Sequence, residues 1–388
     1  MYSKIIEFIK ELYPRQNPVP LHSPVFIGNE KKYLSDCIDS TYVSYVGKYV
    51  QLFEELTAKY TGAKYAVAVV NGTAALQTAL KIAGVEYGDE VITQPLTFVA
   101  TANAISHCGA QPVFVDVDLN TLGMSPEKLS EWIDKNIKYD SIGKKAYNRM
   151  TMKRVAAIVP MHTFGHPCII DELAKIANKY NIPLIEDAAE SLGSFYFGGS
   201  GKNKKHTGTF GLAGILSFNG NKTITTGGGG MILTDDEEFS LKARHITTTG
   251  KIPHAWEYIH DEIAFNYRMP NVNAAIGFAQ IEKIDEYIEN KRNTAKSYFN
   301  FFSDSEIKFI TEPRNSRSNY WLNSILLKDL NERNKFLELS NLGGVTTRPI
   351  WRLINKLDMY RNCQTGNLEN ASWLEERVIN IPSSYRNV

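Results

Sequence analysis

The sequence predicts an α/β protein: a large unit built on a mostly parallel sheet with helices on both sides, followed by a smaller α+β unit. Two observations carry this. The first two thirds of the 388 residues alternates short apolar runs with helical patterns, which implies parallel pairing through right-handed crossovers. The runs are also apolar on both faces, as expected of strands covered by helices on each side. After residue 235 the alternation gives way to longer helical periodicity and one strand-like run.

Taken in order, MYSKIIEFIKELYP reads as an amphipathic helix, with Ile5, Ile6, Ile9 and Leu12 on one face between charges. It has neither the composition of a signal peptide nor the ~20 apolar residues needed to cross a bilayer. Residues 65–70 (YAVAVV) predict a buried strand, and TAALQTALKIA from Thr73 to Ala83 a helix. EVITQ (90–94) and Phe98–His107 repeat the pair. PVFVDV (112–117) follows, with a helix from Ser125 carrying Pro126 in its first turn. RVAAIVP (154–160), a helix near Asp171–Tyr180, and PLIEDA (183–188) complete the regular alternation. GGSGKNKKH (198–206) reads as a solvated loop. GILSF and MILT are further strands. Beyond residue 235 the pattern predicts a helix over Asp236–His245, one long helix from Pro270 past Arg292, a strand in YWLNSILL (320–327) and a helix over Asn331–Asn341. We expect a large unit over 1–265 and a small one over 266–388.

Composition narrows the function. Lys and Arg total 43 and Asp and Glu 42, a formal net charge of +1, which excludes a general basic coat for nucleic acid. The four cysteines, Cys37, Cys108, Cys168 and Cys363, are scattered with no CxxC pair. No zinc pattern is expected, and the thiols read as reduced, in a cytoplasmic protein.

Four pieces at strand ends carry chemistry. Asn71-Gly72-Thr73 opens a helix after a strand; helix-end amides suit a phosphate, although an ordinary cap needs the same residues. Glu186-Asp187 closes an apolar strand, where acidic groups reach a ligand crevice or bridge to a neighbour. Ser217-Phe-Asn-Gly-Asn221 leads from a strand to Lys222, a potential amine nucleophile or a surface lysine. Thr223 to Gly230 ends in four glycines that permit close backbone approach. These are no dinucleotide fingerprint, and GSGK at 199–202 is no P-loop. One chemistry uses all four pieces. In pyridoxal phosphate (PLP) enzymes a lysine forms an imine with the aldehyde, a carboxylate keeps the ring nitrogen protonated, amides and hydroxyls hold the phosphate, and an aromatic covers the ring.

With these pieces in order the sequence resembles the DegT/StrS-type nucleotide-sugar aminotransferases, fold type I PLP enzymes, from about Pro24 to Pro382. The resemblance is carried by residues 46–76, GDEVITQPLTFVATANAI (88–105), PVFVDVD, PMHTFGHPCIIDEL (160–173), IEDAAESLGS (185–194), SFNGNKTITTGGGG (217–230) and FNYRMPNVNAAIG (265–277). It implies that Lys222 carries the cofactor and moves protons, Asp187 pairs with the ring nitrogen, and Phe98 stacks on the ring. Gly72, Thr73 and Ser217 would hold the phosphate. Glu190 stands where many relatives have glutamine, near the ring hydroxyl. Asn266 would reach a neighbouring subunit's phosphate, implying a homodimer. His162, Tyr267 and Arg268 are candidates for substrate or donor contacts, or else a buried histidine and a structural Tyr-Arg pair. The sequence departs from the family's habit at Gly228, which stands in place of an acid, and in Arg348–Asn355, which lacks the common histidine. Together with Asn219-Gly220-Asn221 these resemble the subgroup acting on a UDP-linked 4-keto-6-deoxy-N-acetylglucosamine in legionaminic-type pathways. L-glutamate is the expected donor and 2-oxoglutarate its product.

Overall fold

The computed structural model describes residues 2–202 and 204–386. Seven strands form the main sheet: β1 Tyr65–Val69, β2 Glu90–Thr93, β3 Gln111–Phe114, β4 Val155–Val159, β5 Ile185–Asp187, β6 Ala213–Ser217 and β7 Gly230–Thr234. Their spatial order is β3-β2-β4-β5-β6-β7-β1. Parallel ladders join β2 to β3 and β4, and β5 to β6. The two halves meet where Ile158 bridges Leu184 and Met161 bridges Asp187 in parallel.

β7 is the exception to the parallel expectation. It runs antiparallel to both neighbours, β1 and β6. Segment 218–229 between β6 and β7 contains no helix, so the chain turns back on itself instead of crossing over.

Period-2 alternation distributes the strands' side chains between two layers. Val67, Val69, Ile215 and Ile232 pack on the helices α4 (Gly72–Ile82), α5 (Val99–His107) and α8 (Glu237–Thr247), through Leu76, Leu80, Ile105 and Phe239. Ala66, Ala68, Leu216 and Met231 face α3 (Lys48–Thr61) and α9 (Asn271–Ile281) through Phe53, Ala274 and Ala275. α6 (Pro126–Asn136) and α7 (Ile170–Lys179) cover β3 and β4 with Trp132 and Leu173. α2 (Glu30–Asp39) adds Cys37 to the layer under α3.

The long helix expected past Arg292 is two helices. α9 ends at Ile281, and α10 (Ile284–Phe302) restarts after Lys283, whose φ/ψ of −112°/10° leaves the helical region. No proline or glycine marks the break. Beyond it α10 spans two cores: Ile284 and Ile288 join Ala274 and Ala275 of α9 in the large core, whereas Tyr298 and Phe302 feed a second core.

That second core belongs to an antiparallel sheet: β8 Lys308–Phe309, β9 Asn323–Leu326, β10 Arg348–Pro349 and β11 Val378–Ile381, in the order β8-β9-β11-β10. The strand expected over 320–327 begins only at Asn323, because Tyr320 takes a left-handed φ of 48°. α11 (Leu330–Leu342) and α12 (Glu369–Glu375) complete this unit. The amphipathic helix α1 (Tyr2–Leu12) packs here, with Ile5 and Ile9 against Tyr298, Ile325 and Phe336. The expected division at 265/266 assigned this helix to the large unit; its apolar face belongs to the small one's core. Met1 and Asn203, parts of the expected helix and loop, lie outside the described residues. The loop is not wholly solvated: Lys205–His206 pairs with Phe195–Tyr196, and His206 is buried, its Nε2 accepting the Gly193 N–H at 2.8 Å.

Candidate active site

A cavity of about 230 Å³ opens at the carboxyl ends of β5 and β6, and all four sequence pieces reach it. Asn71 caps α4, its Oδ1 accepting the Ala74 N–H at 2.8 Å, while Ala75 N–H returns to the Asn71 carbonyl. The N–H groups of Gly72 and Thr73 sit in the first turn, where no intrahelical acceptor exists, and both residues line the cavity. A Cβ on Gly72 would stand 3.1 Å from Ser217 Cβ, so this position holds the turn and β6 at close quarters. Gly230 does the same from the other side: its Cβ would meet Asn71 carbon and oxygen at 2.5 Å.

Asp187 ends β5. Its Oδ2 accepts from Thr101 Oγ1 at 2.7 Å, and its Oδ1 from the Ala189 N–H at 3.2 Å. Thr97 Oγ1 lies 2.7 Å from Thr101 Oγ1 and extends the chain of hydroxyls. The carboxylate is thereby fixed in rotation while it faces the cavity.

Lys222 Nζ lies 3.1 Å from Glu190 Oε1 and 4.0 Å from the centroid of the Trp321 ring. Glu190 Oε2 accepts the Phe164 N–H at 2.9 Å. Burial raises the Glu190 carboxyl to about 7, against the opposing pull of Lys222 and the Phe164 N–H. Phe98, just ahead of α5, is 49% exposed and borders the cavity beside Trp351, at 6.4 Å between ring centroids.

Four expected site residues are not brought to this cavity. His162 is fully buried. Its Nδ1 accepts the Cys168 N–H at 3.1 Å, so the ring hydrogen sits on Nε2 and donates to Glu186 Oε2 at 3.0 Å. Glu186 also receives N–H groups from Gly208, Phe210 and Gly211. Burial pushes this carboxyl up, but the donors outweigh it and hold it below the ordinary range. Adjacent strand residues point to opposite sides, so Asp187 faces the cavity and Glu186 the interior. Arg268 donates to Glu54 Oε1 at 2.9 Å and to the Ala68 carbonyl, sharing Glu54 with Arg244. The Tyr267 hydroxyl donates to Gln77 Oε1 at 3.2 Å. His162, Tyr267 and Arg268 therefore make structural contacts within this chain. Asn266 is exposed and bridges Thr248 through the backbone.

Among the cavity residues that escaped the sequence reading are Thr101, Trp321 and Trp351. Both tryptophans come from the small unit. Trp321 lay inside a run read as a strand, where an indole looks like core; the only local signal was its place in an Asn-Tyr-Trp stretch rich in hydrogen-bonding side chains.

Comparison with known proteins matches the sequence profile of the DegT/DnrJ/EryC1/StrS aminotransferase family over residues 26–386. The chain belongs to this family. A GDP-perosamine synthase of Escherichia coli O157:H7 is 37% identical over 367 residues, 94% of this chain and 93% of the relative. A protein of the same name from Vibrio cholerae is 34% identical over 94% of each chain. EpsN of Bacillus subtilis, described as a candidate pyridoxal phosphate-dependent aminotransferase, is 36% identical over 88% of this chain and 83% of its own. Among solved structures, an aminotransferase from Psychrobacter cryohalolentis superposes with a TM-score of 0.81 at 26% identity, covering 93% of each chain. TlmJ of Streptoalloteichus hindustanus gives 0.83 at 25%, covering 94% of this chain and 93% of its own. The fold is that of the fold type I enzymes, and the protein is a PLP-dependent sugar aminotransferase.

The residues present fit PLP. Two helix-end N–H groups without intrahelical acceptors share the cavity with the Ser217 hydroxyl, an oriented carboxylate and a single lysine amine. The cradle at Gly72 is closed enough that a methyl group would press on Ser217.

Proposed function

We propose that this family member transfers an amino group from L-glutamate to the C4 keto carbon of a 6-deoxy nucleotide sugar, releasing 2-oxoglutarate. The observation that carries the reading is the convergence of Lys222, Asp187 and the Gly72-Thr73 amides on one cavity. A GDP-linked ketosugar is the first candidate, since three relatives that match 94% of the chain at 33–37% identity carry GDP-perosamine in their names. The UDP-linked 4-keto-6-deoxy-N-acetylglucosamine is the second reading, favoured by Asn219-Gly220-Asn221 and Gly228.

In this reading Gly72, Thr73 and Ser217 hold the cofactor phosphate, and Phe98 covers the ring. Asp187, held by Thr101 and Ala189, keeps a proton on the ring nitrogen. Bound there, PLP supplies an electron-withdrawing ring for chemistry at the donor's α-carbon. Lys222 anchors the aldehyde at rest. Its free amine would take the donor's α-proton and later deliver a proton to the sugar carbon. Glu190 stands beside Lys222 Nζ and the expected ring hydroxyl. Asn266, exposed in this chain, reaches the phosphate of a second subunit in a cytoplasmic homodimer. The division into a large and a small unit is part of the same proposal, with residues 2–12 reassigned to the small one.

The test is an amino-transfer assay of the PLP-loaded protein with glutamate against GDP-, UDP- and dTDP-linked 4-ketosugars, with product configuration solved by NMR. We expect the GDP-linked substrate to turn over fastest with the amine at C4. Lys222→Ala should lower kcat by about 10³-fold and lack the lysine-bound absorbance. Wild-type turnover by that variant would overturn the mechanism, and an active monodisperse monomer would overturn the role of Asn266.

A further inference from the structure

We propose that Lys291 is a positioning residue for the amino-transfer site: from the buried face of α10 it fixes the backbone of Trp321, and so the indole that covers the Lys222 amine. The inference rests on the reading of Lys222 given above.

Lys291 is only 3% exposed. Its Nζ donates to two main-chain carbonyls, Trp321 O at 3.1 Å and Ser383 O at 2.7 Å. No carboxylate among the described residues lies within ion-pair distance of it. An ammonium buried without a counter-charge is costly, and burial lowers this group to about 7. Such a lysine is not there for its charge. Charged or neutral, an amine keeps at least two N–H groups, which is what two carbonyls require.

The carbonyl it holds belongs to a turn anchored from three directions. The Trp321 N–H donates to Asn319 Oδ1 at 2.8 Å. The Asn319 amide in turn donates to the Glu190 and Leu192 carbonyls at 2.8 and 2.9 Å. At the far end, the indole Nε1–H donates to the Asn221 carbonyl at 2.6 Å, one residue before Lys222. Lys291 secures the remaining direction, from behind. The turn is one that does not hold its shape unaided, because Tyr320 sits at a φ of 48°. With the carbonyl of Trp321 released, the ring is free to tilt away from an amine now 4.0 Å from its centroid. His22, Tyr287 and Tyr385 border the same small space behind Lys222 as Lys291 does. His22 is held well below its ordinary range by burial and then by Lys291 and Lys222, so it brings no competing positive charge at neutral pH.

The test uses the PLP-loaded enzyme and reads two quantities: the pH midpoint of the lysine-bound cofactor absorbance, and the glutamate half-reaction resolved into kcat and KM. Lys291→Met should move the midpoint by about one pH unit, tenfold in proton affinity, and lower kcat about tenfold with the glutamate KM within about twofold. Lys291→Arg, which keeps paired donors, should stay near wild type. Trp321→Leu alone should reproduce the Lys291→Met shift, and adding Lys291→Met to it should change nothing further. Equal shifts from Lys291→Met in both backgrounds, or no shift in either, overturn the proposal. Should Lys291→Met not fold, Lys291→Gln takes its place in the same cycle under the same criteria. A Lys222→Ala protein that still develops the lysine-bound absorbance sinks the reading of Lys222 itself; the usual loss of that absorbance without Lys291–Trp321 coupling sinks this proposal alone.

Discussion

Single side chains decide what this cavity can do, and Glu190 shows how burial sets their state. Its folded-state value of about 7 lies above the ordinary 4.5. Between those pH values the folded chain keeps a proton that the unfolded chain has released. The group's contribution to stability is therefore full below about pH 4.5 and is lost as pH rises through about 7. Urea midpoints of cofactor-free wild type and Glu190→Gln, compared at about pH 5 and about pH 8, should show the wild type losing ground to the variant at the higher pH; parallel behaviour contradicts the assignment. Residue identity foretold which strand-end side chains share the cavity, as for Lys222 and Asp187. It misled where position mattered more than type. Nothing in the string Glu186-Asp187 says which carboxylate faces the cavity, because that follows from the pleat of a strand whose register the sequence does not print. His162 and Arg268 have functional side chains, yet four donors converge on Glu186 and two arginines on Glu54. Buried acids of this kind recruit cations and N–H groups for structural reasons alone.

At the scale of elements, the turn between β1 and α4 is built by its contact with the start of β7. The four glycines have unequal duties. A Cβ on Gly230 meets backbone atoms of Asn71 and Gly72 at 2.5–2.8 Å, whereas a Cβ on Gly228 finds its nearest such neighbour, the Val70 carbonyl, only at 4.0 Å. Gly230→Ala should cost about 1–3 kcal/mol and release cofactor on dilution. Gly228→Ala should stay within about 0.5 kcal/mol of wild type. Chemical denaturation with PLP retention after gel filtration separates the two, and equal effects would show that the close approach is not what the glycines serve. Element type was readable along most of the main sheet because apolar runs, caps and turns agree there. The antiparallel direction of β7 and the break between α9 and α10 were not, since pairing partners set the one and no proline or glycine marks the other.

For the whole molecule, α1 is a remote element with a direct claim on the site. It lies in one core with Tyr298 of α10, and α10 also carries Lys291. Ile9, fully buried in that core, should cost about 2–5 kcal/mol as Ile9→Ala, read as a lowered denaturation midpoint; an unchanged midpoint would mean that α1 is only draped on the surface. The large unit was legible in outline, but the membership of α1 was not, because an amphipathic stripe announces that a helix is covered and not by what. Among the described residues no helix is long and apolar enough to cross a membrane. The placement of β7 between β1 and β6 also sets a timetable for synthesis. Residues 65–69 leave the ribosome long before their partner strand β7, and at about 5–20 residues per second they wait roughly ten to thirty seconds for residue 234. Until then the Gly72 turn has no Gly230 to close against. A nascent chain stalled before Gly230 therefore lacks the contact that closes the Gly72 turn, and that wall of the cavity is a product of the finished sheet.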